Sequence, residues 1–220
     1  MEPLKDFPGV HVREKSLYTL STNPGVRVYG ERTVSLDGKE YREWSPRRSK
    51  LSAYLSLDGD CFPFTETSKV LYLGASGGTT ASHVADICHG GSVICVEFSP
   101  RMFRDLVTVC EGRRNMIPIL GDAARPGDYM FVSEGADIVY QDVAQKGQAK
   151  IISDNVEKSN AEYGILAIKS RSEDVTADPR EIFEESESYL RKEGYRILDV
   201  RSLEPYEKDH SMIVFKAEKS

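Results

Sequence analysis

The segment Gly74-Ala-Ser-Gly-Gly-Thr-Thr80 lies between an apolar run at 70–73 and a stretch in which Ala81, Val84, Ala85 and Cys88 recur at helical spacing. A glycine turn between a strand and a helix lets backbone approach a ligand at the carboxyl edge of a parallel sheet. The spacing is G-x-x-G-G, so neither the dinucleotide fingerprint G-x-G-x-x-G nor the phosphate loop G-x-x-x-x-G-K-[ST] is present. Glu97 ends the next apolar run, 23 positions after Gly74, placed to accept hydrogen bonds from ribose hydroxyls. Asp122 and Asp142 follow the third and fourth runs, and Lys169 follows the fifth. Carboxylates after three strands repel phosphates and suit a cationic adenosyl sulfonium; the plainer alternative is that Glu97 and Asp122 cap helices and Gly74 only turns the chain. Asp142 and Lys169 end neighbouring strands, so their side chains can meet at the sheet edge.

These residues need a framework of alternating strands and helices, and the pattern from residue 69 onward supplies one. Strands are expected at 70–73, 92–96, 116–119, 136–140 and 164–169, with helices between them; Phe103, Leu106, Val107 and Cys110 repeat the helical face. Asp178-Pro-Arg-Glu181 predicts an N-cap, a first-turn proline and an acidic third position, opening a helix with Ile182, Phe183, Ser186, Tyr189 and Leu190 inside. Strands at 195–200 and 211–215 follow with no helix between them, so they pair antiparallel and give a seven-stranded, mostly parallel sheet with one reversed strand. Upstream, short β-rich stretches at 11–13, 17–20, 26–29 and 41–44, separated by Asn23-Pro-Gly and Asp37-Gly-Lys, predict a small antiparallel unit over 1–48. Residues 49–55 predict a helix that opens the main domain, 49–220.

With 220 residues and 40% hydrophobic content, the chain can bury one substantial core. Its apolar runs are strand-sized, which excludes a transmembrane helix, and the N-terminus lacks the apolar centre of a signal peptide, so a cytoplasmic protein is expected. Cys61, Cys88, Cys95 and Cys110 lack metal-site spacing; the last three have apolar neighbours that predict buried thiols, with no zinc site and no disulfides. The net charge of −6 opposes autonomous nucleic-acid binding. Residues 1–50, however, hold ten Lys and Arg against seven Asp and Glu, ending in Arg47-Arg48-Ser-Lys50, so an anionic partner can meet that edge. His83 is expected on the solvated or N-terminal part of its helix, outside any site, and His11 and His89 carry no signal.

Several strings together resemble fibrillarin: residues 70–84, Val96-Glu-Phe-Ser-Pro-Arg, Ile119-Leu-Gly-Asp-Ala, Gln141-Asp-Val-Ala-Gln, Ile168-Lys-Ser-Arg-Ser and Leu203-Glu-Pro-Tyr-Glu-Lys-Asp-His. The resemblance implies a class I S-adenosylmethionine-dependent methyltransferase, a Rossmann-like α/β fold behind a small N-terminal β domain. It implies methylation of ribose 2′-hydroxyls in rRNA and possibly tRNA, guided by box C/D RNA. The implied partners are a Nop-domain scaffold and a kink-turn-binding protein, with no membrane. The chain begins directly at the β domain, as archaeal forms do. The resemblance also places Lys50, Asp142, Lys169 and His210 as the catalytic set, with Asp142 orienting Lys169. Combined with the glycine turn, it gives a cofactor set of Gly74, Ala75, Ser76, Gly78, Thr79, Thr80, Glu97, Phe98, Asp122, Ala123, Asp142 and Gln145, and no metal. Where the family usually has Gly-Ala-Ala-Ser-Gly-Thr-Thr, the hydroxyl here has moved one place, to Ser76, which puts a contact from that side chain in doubt.

Arg47, Arg48, Arg171 and Arg101 are candidates for RNA backbone contact. No interleaved aromatic and basic stripe is present, so sequence readout falls to a guide. Competing readings are a methyltransferase acting on a protein or small molecule, which accounts simply for the acidic pI of about 5.4, and a non-catalytic scaffold. A nicotinamide dehydrogenase lacks its glycine spacing.

Overall fold

The computed structural model describes residues 1–218. Its first sheet is antiparallel, built from β1 (Glu2–Pro3), β2 (Val10–Arg13), β3 (Ser16–Leu20), β4 (Thr33–Leu36) and β5 (Lys39–Glu43) in the order β1-β2-β3-β5-β4. Residues 26–29 do not form the expected strand. The backbone N–H groups of Val28 and Tyr29 donate to the Glu31 carboxylate instead of a ladder, and Thr33–Leu36 pairs with β5 across the Asp37-Gly38 turn.

Then follow α1 (Lys50–Ser56), β6 (Lys69–Leu73), α2 (Thr79–Ile87), β7 (Ser92–Glu97), α3 (Pro100–Glu111), β8 (Met116–Leu120), α4 (Met130–Ser133), β9 (Ile138–Gln141) and α5 (Gln148–Ser159). The chain continues through β10 (Tyr163–Lys169), the single turn α6 (Ser170–Glu173), α7 (Pro179–Lys192), β11 (Tyr195–Ser202) and β12 (His210–Ala217). The large sheet runs β11-β12-β10-β9-β6-β7-β8, with β12 antiparallel to both neighbours and the rest parallel. This is the Rossmann-like sheet the sequence predicts. Period-2 alternation splits its core: Val70 and Tyr72 pack on one face with α1 and α2, while Leu71 and Leu73 pack on the other with α5 and α7. Ser49 caps α1 and Asp178 caps α7 through side-chain hydrogen bonds. All four cysteines are free, with Cys88, Cys95 and Cys110 buried. No helix among the described residues is long and apolar enough to cross a membrane.

Helix α2 is buried on every side, because the N-terminal sheet covers the face turned away from the large sheet. His83 is therefore not solvated; its ring stacks on Trp44 and bonds Thr19 through Nδ1 (2.7 Å) and Tyr29 through Nε2 (2.8 Å). Burial, reinforced by Arg42 and Arg113, pushes its pKa well below 6.5 and keeps it neutral. Beside it, the fully buried Arg42 pairs with Glu31 (2.7 Å) and with Asp86 of α2 (2.6 Å).

Candidate active site

Four turns at the carboxyl edge of the large sheet, those after β6, β7, β8 and β9, enclose a cavity of about 330 Å³. The turn after β6 is pinned by Gly74, whose φ of +78° and contact with the Asp142 carbonyl leave no room for a Cβ. The Gly74 and Ala75 amides both donate to the Val96 carbonyl, binding this turn to the end of β7. Glu97, at that end, accepts the Ser76 amide on Oε2 (2.8 Å) and the Ser99 amide on Oε1 (2.7 Å). Two backbone donors fix a carboxylate that has about four acceptor positions, so capacity remains for a ligand's hydroxyls. In the third turn, the Asp122 Oδ1 accepts from Gln145 Nε2 (2.8 Å) and from the Ala124 amide (3.0 Å). Those bonds hold its carboxyl below the usual range and tie the turn after β8 to the one after β9.

Of the expected cofactor residues, Gly74, Ser76, Glu97, Phe98, Ala123, Asp142 and Gln145 line the cavity. Ala75 and Gly78 hold the turn from behind, Gly78 donating to the Ala75 carbonyl and lying against Val109 of α3. Thr79 and Thr80 do not line it. Helix α2 starts with them and turns their side chains away: Thr80 donates to Ser49 (3.0 Å) and Thr79 lines a separate cleft. No Lys or Arg lines the cavity, whereas Glu97 and Asp142 do, so its chemistry suits an adenosyl group bearing a sulfonium.

At the open end, Lys50 Nζ donates to Asp142 Oδ2 at 2.8 Å, both side chains being about one-fifth exposed. Asp142 thus pairs with Lys50 and not with Lys169 as expected; α1 brings Lys50 in across the turn, 92 positions away. Lys169 is directly paired with His210 in the β10–β12 register, and its amine makes no hydrogen bond or ion pair among the described residues. His210 Nδ1 bonds the Lys208 carbonyl at 2.6 Å. Burial, with help from Lys50, lowers its pKa, so the neutral ring donates through Nδ1 and keeps Nε2 as an acceptor.

Sequence reasoning missed the groups that hold Lys169. Gln148, buried at the start of α5, clasps its backbone on both sides: Nε2 donates to the Lys169 carbonyl and Oε1 accepts its amide, each at 3.0 Å. Glu173 accepts the Gly147 and Gln148 amides and Gln148 Nε2, and Gln141 Nε2 donates to the Gln148 carbonyl. Only the glutamine at both strand end and helix start hinted at this. The Arg171 guanidinium donates to Asp209 (3.1 Å) and to the Val175 carbonyl (2.7 Å), linking α6 to the loop that ends in His210, and its side chain stays 42% exposed. Arg47, Arg48 and Arg101 are exposed, with Arg48 stacked over Tyr29 at 5.9 Å.

The fibrillarin family model matches residues 1–219. The chain belongs to the fibrillarin family. A fibrillarin-like rRNA/tRNA 2′-O-methyltransferase from Methanothermobacter thermautotrophicus is 49% identical over 98% of this chain and 97% of its own. The structure of Aeropyrum pernix fibrillarin with natively bound S-adenosyl-L-methionine superposes with a TM-score of 0.89 at 43% identity, covering 97% of this chain and 96% of that one. A fibrillarin in complex with Nop5p superposes with a TM-score of 0.87 at 37% identity, covering 99% and 100%.

Proposed function

We propose that the protein is an S-adenosylmethionine-dependent ribose 2′-O-methyltransferase of rRNA and tRNA, guided by box C/D RNA and delivered to its substrate by a Nop-domain scaffold and a kink-turn-binding protein. The observation that carries this reading is Asp142, which lines the cofactor cavity and at the same time holds Lys50 at its open end, beside the paired ends of β10 and β12. An alcohol nucleophile needs a proton acceptor or a cation there, and this edge gathers two lysines and a histidine.

When bound, the cofactor supplies an electrophilic methyl carbon whose sulfur leaves as a neutral thioether. Glu97 holds the ribose hydroxyls and Phe98 walls the adenine. Lys169, with its backbone fixed by Gln148, meets the target 2′-oxygen, taking its proton or neutralising the oxyanion as it forms. Lys50 is anchored by Asp142, and His210 offers Nε2 to the target ribose. Alignment and proton handling supply the acceleration; the latter is worth about 10²–10⁴-fold.

The net charge of −6 makes the isolated chain a weak RNA binder and accounts for the scaffold. The test is single-turnover methylation of a guide–target duplex, by the chain alone and with the scaffold. Transfer to a ribose should require the scaffold and fall at least ~10²-fold in Lys169→Ala with cofactor affinity retained. Efficient transfer by the chain alone, or by the variant, overturns the reading.

A further inference from the structure

We propose that the cleft between residues 23–29 and α3 is a phosphodiester site, holding the RNA strand next to the reacting ribose. The proposal rests on the RNA methyltransferase reading and adds a binding site to it. The cleft encloses about 490 Å³ and lies behind the glycine turn, with Gly77 and Thr79 in one wall. Three guanidiniums, those of Arg27, Arg48 and Arg113, line it against a single carboxylate, Asp105. Neither Arg27 nor Arg48 forms an ion pair among the described residues, so their charge is uncommitted.

Arg113 points most clearly to a ligand. It is 3% exposed, yet Nε and Nη2 have no hydrogen-bond partner. Its nearest carboxylate, Asp86, lies 4.0 Å away and is already saturated. Asp86 Oδ1 accepts the Thr22 amide and hydroxyl, and Oδ2 accepts Arg42 and Thr19. A buried guanidinium left without acceptors is costly, and the charge of an anion in the cleft that Arg113 lines offsets part of that cost. Across the cleft, α2 begins at Gly78, which supplies no side-chain cap, so the positive end of this nine-residue helix faces the same space.

Position favours an RNA strand as the source of the anion. Arg48 is two residues before Lys50, and Ser49 between them is extended, so the Cα atoms of Arg48, which lines the cleft, and Lys50, which pairs with Asp142, are at most about 7 Å apart. A strand with its ribose at Lys169 therefore presents a neighbouring phosphate to Arg48, and Arg27 and Arg113 continue the track.

The test titrates the full chain into a fluorescein-labelled single-stranded RNA dodecamer and follows anisotropy from ~20 to ~200 mM salt. Arg27→Ala should weaken binding and reduce the slope of log K against log salt by about 0.7, the share of one single-strand phosphate contact. Asp105→Asn should tighten binding. Both side chains are exposed, so folding is preserved, and cofactor-induced thermal stabilisation should be unchanged in both. Wild-type affinity and slope in both variants overturn the site, as does an absence of RNA binding at the lowest salt. Thermal stabilisation by inorganic phosphate without RNA binding overturns the assignment to RNA and leaves a free-anion pocket. Failure of the underlying reading is separate: wild-type protein with scaffold would then transfer no methyl group to a guide–target duplex.

Discussion

Replacing Gln148 by Met keeps the side-chain volume and removes every hydrogen bond of the amide. In the native protein that amide makes three: to the Lys169 carbonyl, from the Lys169 amide, and to Glu173. At about 1 kcal/mol each the loss comes to about 3 kcal/mol, and it leaves the Lys169 backbone unpartnered beside a fully buried residue. For a chain of this size that lowers the unfolding midpoint by roughly 6–12 °C. The functional effect follows from position: a shift of about 1 Å in Lys169 costs on the order of 10²-fold in rate. Single-turnover methylation in the reconstituted complex should therefore fall ~10–100-fold, with cofactor affinity close to native because Gln148 lies outside the cavity. Gln148→Glu keeps the acceptor for the Lys169 amide but sets a second carboxylate against Glu173, so it should not rescue the rate. A variant that loses under ~1 kcal/mol and retains the native rate would refute the clamp.

Gly74→Ala should abolish cofactor binding and destabilise the fold by more than the 1–2 kcal/mol of a left-handed alanine, because the added carbon meets the Asp142 carbonyl. Gly127→Ala, with nothing within 4 Å, is the control, and equal calorimetric titrations for the two would rule out the close approach. Stability should also fall as pH drops below 6.5. There the unfolded chain protonates histidines that stay neutral in the folded protein, at up to about 1.4 kcal/mol per pH unit for each. The stabilisation from His83 is fully present above 6.5 and is lost as pH falls toward its depressed folded value. His83→Gln should remove one proton's worth of this slope in denaturant titrations between pH 5 and 7; an unchanged slope contradicts a neutral, buried ring.

The β–α alternation was readable because each parallel strand of the large sheet is an apolar run and each long helix carries a stripe, as in Leu106 and Cys110. The carboxyl-edge site followed from topology, which placed Glu97, Asp122, Asp142 and Lys169 at one rim. What escaped depended on partners distant in sequence. Residues 26–29 have strand-forming side chains, but Glu31 takes the N–H groups a ladder needs. His83, Ser82 and Asp86 look solvated on a one-faced helix, and only the arrival of Arg42 and Thr19 from the other sheet lets them be buried. The Lys50–Asp142 pair joins two segments with no shared local pattern, so no periodicity could announce it.

The ionic contacts across α2 make the two sheets heritable only as a block. Arg42 and Glu31 come from the N-terminal unit and Asp86 from the methyltransferase half, and the fully buried Arg42 keeps both its carboxylate partners only when all three are present. Exchanging one half for that of a relative which handles any of these charges differently strands a buried ion, at a cost of about 3–5 kcal/mol. That is a large part of the stability of an ordinary domain. Cutting the chain before α1 exposes His83, Ser82 and Asp86 on a helix shaped for contact. The small sheet is in this sense a permanent half of the enzyme's interior, and chimaeras should tolerate swaps along the outer helices far better than swaps at this seam.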